Sequence, residues 1–327
     1  MFEKLAEYIS IGDLKVPRFI GGPIDGYTDS LFRMIARKFS PDALMYGEIR
    51  HVAEVAHGNQ GQAKVHTQER PLNFQMTAHN TEFIAQACER VLQQGVDAID
   101  INIGCPASHI VRSGSGSALM GDLPRLKSII REFRKTVTVP LTIKMRAGFK
   151  EHNAIDVARL AQDEGIDALV MHPRLQSQRF RGMPDYSLLA DVKKVINIPL
   201  IVSGGINDFA TACSVYEQTG VDGFLIGRAW LGSPWLLHEM QQKAIGSHYQ
   251  ITSAEIAKTV RAHMAIIETL AYDDTIMLSK RHISLYCRGF EGAAALRREL
   301  GDAETKEQVD AVVEAFCKGV LENGKEE

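Results

Sequence analysis

The segment Asp100-Ile101-Asn102-Ile103-Gly104-Cys105-Pro106 reads as an apolar strand that turns sharply into a cysteine and a proline. Pro106 lacks an N–H for a sheet ladder and cannot continue a helix, so the Cys105 thiol is expected on a stiff loop outside regular structure. On such a loop it could be a nucleophile, a metal ligand or a proton donor. No His or Cys stands at metal-ligand spacing from it. The five cysteines (Cys88, Cys105, Cys213, Cys287, Cys317) contain no CxxC pair, which points away from zinc and from a disulfide framework. The Gly- and Ser-rich stretch SHIVRSGSGSALMGD after Cys105 is long for a strand-to-helix connection and is expected to be a lid.

Other apolar runs also end in residues able to do chemistry. In chain order the ends are Gly22 and Pro23, Glu48, Gln75, Asn102, Lys144 and Arg146, His172 and Arg174, Ser203-Gly204-Gly205, and Gly227-Arg228. Gathered at one rim, Gln, Asn, Lys and His would suit a planar ring rich in oxygen and nitrogen with a phosphate tail. The two Gly-rich turns after the last two runs suit the phosphate. Neither GxGxxG after the first run nor GxxxxGK[ST] is present, so a Rossmann dinucleotide and a P-loop nucleotide are not supported, and flavin mononucleotide (FMN) fits better. Lys144 would face the flavin N1–O2 edge, unless it pairs with a carboxylate such as Asp100 or Glu48.

A common rim requires elements that deliver each run in the same direction. RFIGG, ALMYGE, LNFQMT, AIDINIG, PLTIKM, ALVMH, PLIVSGG and GFLIG alternate with amphipathic stretches at 29–39, 80–94, 123–136, 153–164 and 208–219. Several of those stretches open on Asp or Asn and several close on Gly95, Gly165 or Gly220, as helix caps do. About eight strand–helix units over residues 18–245 predict an α/β fold, a (β/α)8 TIM barrel, rather than an open doubly wound sheet. From residue 253 onward the pattern is helical, which predicts residues 1–245 as the barrel and 253–327 as a small C-terminal helical domain.

Bulk properties set the remaining limits. The 327 residues are 45% hydrophobic and 24% charged, a globular composition. No leader-like segment and no apolar run near the ~20 residues of a membrane span is visible, so a soluble, cytoplasmic protein without membrane contact is expected. No obligate protein partner is evident. A net charge of −3 gives no global pull toward nucleic acid. The helical tail nevertheless concentrates Lys280, Arg281, His282, Arg288, Arg297 and Arg298, a local patch suited to phosphates.

The motifs GPIDGYTD (22–29), DINIGCPA (100–107), SGSALM (115–120), IKMRAG (143–148), HPR with FRGMPDY (172–186), SGGI (203–206), IGRAWLGSPW (226–235) and KRHISLYCRGFEGAAALR (280–297) follow one another along almost the whole chain. In order and spacing this set resembles the tRNA-dihydrouridine synthases. The resemblance implies FMN contacts from Pro23, Ile24, Asp25, Gln75, Lys144, His172, Ser203, Gly204, Gly205, Gly227 and Arg228. It makes Cys105 the proton donor and puts Asn102 near flavin and uracil. Arg146, Arg174 and the cations at 280, 281, 282, 288 and 297 fall to substrate RNA. The implied reaction passes hydride from NADPH to flavin and on to uracil C6 while Cys105 protonates C5, on a tRNA uridine unstacked from its neighbours.

The chain departs from the family pattern at Gly22-Pro23-Ile24 (usually Ala-Pro-Met), Ser203-Gly204-Gly205 (usually Asn-Gly-Asp) and Ser108-His109 (commonly basic). Two other readings are a dihydroorotate dehydrogenase-like enzyme of small molecules and an RNA-binding protein that keeps the barrel only as scaffold. The first leaves the basic tail without a task, and the joint presence of Cys105, Asn102, Lys144 and His172 opposes the second.

Overall fold

A computed structural model describes residues 3–58, 65–270 and 274–323. Two N-terminal strands, β1 (Tyr8–Ile11) and β2 (Leu14–Pro17), form an antiparallel hairpin. The barrel strands follow: β3 (Phe19–Gly21), β4 (Met45–Tyr46), β6 (Leu72–Thr77), β7 (Ala98–Asn102), β8 (Leu141–Gly148), β9 (Ala168–Leu175), β10 (Leu200–Ser203) and β11 (Gly223–Ile226). A two-residue strand, β5 (Arg50–His51), adds to the edge of β6. All eight barrel strands pair in parallel, and the sheet closes through β3 with β11 and β4 with β6. The expected TIM barrel is therefore present.

The closing seam depends on two glycines. A Cβ at Gly21 would lie 2.5 Å from the Trp230 ring, and one at Gly22 would lie 2.8 Å from the Ile226 carbonyl. Only hydrogen at Cα lets β3 come this close, and the Gly22 N–H then donates to Ile226 O at 2.8 Å. At the opposite end the hairpin closes the barrel floor, with Ile9, Ile11 and Val16 packed among Ile20, Leu44, Val170, Ile201 and Leu225. The hairpin has no counterpart among the expected elements.

Helix boundaries follow from caps. Asp29 accepts the Phe32 N–H (3.0 Å) to open the helix Ser30–Phe39, and Asp208 accepts the Thr211 N–H (2.7 Å) to open Phe209–Thr219. The helix expected over 80–94 is shorter, Ile84–Leu92, because the Asn80 side chain accepts the Glu82 N–H and builds a turn ahead of it. The stretch after Cys105 is not an irregular lid. It holds a helix, Ser108–Arg112, and a 3₁₀ helix, Gly116–Gly121, with Ser117 N–H on the Cys105 carbonyl at 3.1 Å.

Beyond the barrel, the helices Ser253–Leu270, Thr275–Tyr286, Ala293–Asp302 and Lys306–Asn323 bury Ile256, Val260, Ile283, Val313 and Phe316 among themselves. Residues 271–273 and 324–327 of the expected helical segment lie outside the described residues. This layer docks on the helix Ser30–Phe39, where Leu31 and Met34 meet Ile267. The contact is not purely apolar. His282 Nε2 sits 2.8 Å from Asp29 Oδ2, and the Phe32 ring lies parallel to the His282 ring. Burial pushes the Asp29 carboxyl up, but hydrogen bonds from His282 and the Phe32 N–H outweigh it and leave the group below its ordinary value.

A second buried ionic knot fixes the loop between β3 and that helix. Arg33 donates to Glu69 through Nε (2.8 Å) and Nη2, and to the Thr28 carbonyl through Nη1. The other Glu69 oxygen accepts Ser30 Oγ at 2.6 Å. Glu69 is fully buried, so removing it strands a buried guanidinium. Glu69→Ala is expected to cost about 3–5 kcal/mol in urea unfolding. A loss below about 1 kcal/mol would mean that Arg33 finds water instead.

Candidate active site

The C-terminal ends of the barrel strands form one rim, and the segment after β7 carries its cysteine. Asn102 ends β7 with its Oδ1 turned back to accept both the Gly104 N–H (3.1 Å) and the Cys105 N–H (2.9 Å). Gly104 passes close to β8, where a Cβ would come within 3.1 Å of the Met145 backbone. The Cys105 thiol is half-buried at the rim, whereas Cys88, Cys213, Cys287 and Cys317 are buried. Burial pushes the Cys105 thiol above its ordinary value, although Lys144 and Arg146 pull the other way. That shift favours the protonated thiol over the thiolate.

Lys144, on β8, forms no ion pair among the described residues, so neither Asp100 nor Glu48 claims it. Burial and the neighbouring Arg146 lower its ammonium to about 8, opposed by Asp100. Glu48 instead accepts the Gly26 N–H (2.5 Å) and bonds to Arg50 (3.0 Å), bracing the loop of Pro23, Ile24 and Asp25. On β9, His172 Nε2 accepts from Arg174 Nη1 at 2.9 Å. Burial, reinforced by four surrounding cations, drives this imidazole down to about 2, so it is neutral with its proton on Nδ1.

The turn after β10 supplies a backbone cradle. Gly204 and Gly205 both have positive φ, +91° and +82°. A Cβ on Gly204 would lie 2.5 Å from His172 Nε2, so this glycine makes room for the imidazole. At Gly205 the space a side chain would take is filled by Tyr186, whose hydroxyl donates to the Gly204 carbonyl at 3.1 Å. The Asp usual at this position in the family pattern has no room here, which accounts for that departure. Gly227 is open, with nothing nearer than 3.7 Å to a built Cβ, and Arg228 is exposed. Successive left-handed glycines, an exposed guanidinium and an open glycine fit the phosphate tail of a flavin mononucleotide. Lys144 and the amide hydrogen that Gln75 has left over fit its oxygen- and nitrogen-rich ring.

The cations assigned to RNA divide into two sets. Arg146 is buried and spends its guanidinium on the carbonyls of Gly104, Leu175 and Arg179. Arg174 is buried as well, on His172 and the Gly182 carbonyl. His282 is 1% exposed and bonded to Asp29, so it belongs to the interlayer contact and is not placed to meet RNA. Lys280 donates to the Gly301 carbonyl at 2.8 Å. Arg288, Arg297 and Arg298 are exposed, and Arg288 reaches the Arg228 carbonyl at 3.4 Å.

Arg281 lines a cleft of about 1060 Å³ between the rim and the helical layer, which runs past Asp25, Thr77 and Ser115 beside the Cys105 loop. The rim also holds a residue not singled out in the sequence. Phe180 is 57% exposed and lies against the Arg146 and Arg228 guanidiniums, 5.6 and 5.3 Å from its ring centre. Its place in the motif FRGMPDY, next to Arg179 and Arg181, was the available signal. Among the described residues no group of three or more His, Cys, Asp or Glu side chains is placed to hold a metal, and no helix is long and apolar enough to cross a membrane.

The family model for dihydrouridine synthase matches residues 20–321. The chain is 30% identical over 302 residues to a probable tRNA-dihydrouridine synthase 1 of Synechocystis, covering 90% of this chain and 85% of the relative. It is 28% identical over 324 residues to tRNA-dihydrouridine synthase B of Pseudomonas aeruginosa, covering 97% and 98%. Solved structures of similar fold include morphinone reductase (TM-score 0.57, 12% identity, 76% of this chain and 91% of that one). An old yellow enzyme homologue from Zymomonas mobilis is another (TM-score 0.55, 14% identity, 73% and 93%).

The raised thiol gives a direct expectation for the protein alone. Alkylation of Cys105 by iodoacetamide, followed by peptide mass spectrometry, should still be accelerating as the pH passes the usual thiol value of about 8.5. A rate that levels off at neutral pH would identify a thiolate and remove the acid assignment.

Proposed function

Because the chain belongs to the dihydrouridine synthase family, we propose that it reduces uridines of tRNA to 5,6-dihydrouridine, with FMN as resident cofactor and NADPH as reductant. The observation that carries this reading is Cys105, a protonated thiol on a braced loop at the rim of a barrel that also offers Lys144, neutral His172 and the Gly204–Gly205 cradle. The relatives, named as tRNA-dihydrouridine synthases, support tRNA as the RNA.

Pro23, Ile24 and Asp25 would line the ring from the first loop, Gln75, Lys144 and His172 from mid-barrel strands, and Ser203, Gly204, Gly205, Gly227 and Arg228 would hold the phosphate. Bound there, FMN would supply hydride from NADPH to uracil C6. Lys144 places positive charge where the pyrimidine edge of the ring would gain negative charge. Cys105 gives its proton to uracil C5, and Asn102 keeps one amide hydrogen for the base. Arg146 and Arg174 act indirectly, by holding the carbonyls of residues 175–182 in place.

A uracil within an RNA stack cannot reach this rim, so the nucleotide must be turned out of the stack. The cleft beside Arg281 is the route on this reading, with residues 1–245 as the catalytic barrel and 253–327 as the part that holds RNA. Arg288, Arg297 and Arg298 would meet phosphates and make affinity salt-dependent.

The purified protein should be yellow, release FMN on acid denaturation, and form dihydrouridine in unmodified tRNA with NADPH. Cys105→Ala should lower dihydrouridine formation about 10²–10⁴-fold, the usual worth of a general acid, while NADPH still bleaches the flavin. A colourless protein that FMN cannot reconstitute, or a Cys105→Ala enzyme of full activity, would refute the assignment.

A further inference from the structure

Asp100 lies inside the barrel one pleat below Asn102, is fully buried, and has no part in the reaction as proposed so far. Its Oδ2 accepts Gln75 Nε2 at 2.8 Å, Gln75 Oε1 accepts Asn102 Nδ2 at 2.9 Å, and Asn102 Oδ1 accepts the Cys105 N–H at 2.9 Å. We infer that Asp100 is a positioning residue, which fixes the Cys105 loop through a one-way relay of two amide side chains. The inference rests on the reading of Cys105 as proton donor.

Polarity sets the direction of the relay. A carboxylate can only accept, so it forces Gln75 to turn Nε2 toward it and Oε1 away. Gln75 Oε1 in turn draws Asn102 Nδ2, which leaves Asn102 Oδ1 for the two N–H groups at Gly104 and Cys105. Without the carboxylate each amide has two orientations of similar merit. In the wrong one Asn102 points N–H at N–H, and the loop loses both of its bonds to Asn102.

The other Asp100 oxygen accepts Thr142 Oγ1 at 2.6 Å, and Thr142 in turn accepts Asn73 Nδ2 at 3.1 Å, so the carboxylate is held from both sides. Burial raises it only to about 6, countered by Thr142, Gln75 and Lys144, and it stays ionised at neutral pH. A buried charge is costly for a fold to maintain. The Asp100 charge faces the Lys144 ammonium, and the polarity of the relay requires an acceptor at this place.

The test is alkylation of the full-length protein by iodoacetamide, read cysteine by cysteine. In Asp100→Asn, Cys105 should react roughly ten-fold faster, the change that accompanies loss of about one hydrogen bond's ordering, while Cys88, Cys213, Cys287 and Cys317 stay protected. Adding Gln75→Glu moves the carboxylate one step along the relay. The amide now at position 100 then donates to one oxygen of the carboxylate at position 75 while the other oxygen accepts Asn102 Nδ2, so the Cys105 rate should return to within about two-fold of the parent.

A merely structural role predicts that the second substitution adds damage. An unchanged Cys105 rate in the single variant, or no recovery in the double one, overturns the relay. If Asp100→Asn unfolds and all five cysteines react, a folded double variant with the parental rate still supports the relay, and an unfolded one overturns it. None of these readings needs flavin or RNA, so absence of dihydrouridine formation by the parent would sink the proposed reaction and leave the thiol result standing.

Discussion

Closure of the sheet is the constraint on which the rest depends. β4 contributes only two residues and β3 three, so the seam has little ladder to hold it, and it closes because glycine at 21 and 22 lets backbone approach ring and carbonyl. Once it closes, parallel strands must all end at the same rim. Cys105, Lys144, His172 and the Gly204–Gly205 turn, up to about 100 residues apart in the chain, become neighbours with no further device.

The opposite end of the barrel shows how the chain enforces register. Asp97, Asp167 and Asp222 each stand just before a strand and accept the first N–H of the preceding barrel strand, at Leu72 (2.8 Å), Leu141 (2.7 Å) and Leu200 (2.7 Å). Each also takes a cation: Arg70, Arg134 and Lys193 respectively. A one-residue slip would separate all three carboxylates from their N–H groups. This stabilises the pairing that puts Asn102 beside Lys144 and Arg146 beside His172.

Much of this was legible because the signals are local. Apolar runs with polar ends identified eight strands, and Asp29 and Asp208 marked helix starts. The aspartate device was also in plain view as Gly-Val-Asp at 95–97, Gly-Ile-Asp at 165–167 and Gly-Val-Asp at 220–222. What those carboxylates bind depends on the neighbouring strand, and periodicity carries no such information. The hairpin could have been found from the alternation in YISIGDLKVP around its Gly12-Asp13 turn. His282 shows the limit of reading charge as surface. Lys280, Arg281 and His282 are successive helical residues at about 100° steps, so they cannot all face solvent, and only the partner Asp29 decides which one turns inward.

The bond between Asp29 and His282 spans 253 positions of chain and joins the first loop of the barrel to a helix beyond its last strand. Asp29 also caps the helix Ser30–Phe39, so one carboxylate serves both layers. The helical layer is therefore not an interchangeable module. Grafted onto the barrel of a relative that lacks an acceptor at the matching place, it would carry a buried imidazole with no partner. Evolution can re-tailor the exposed arginines of this layer one at a time, but residues 29 and 282 have to be inherited together.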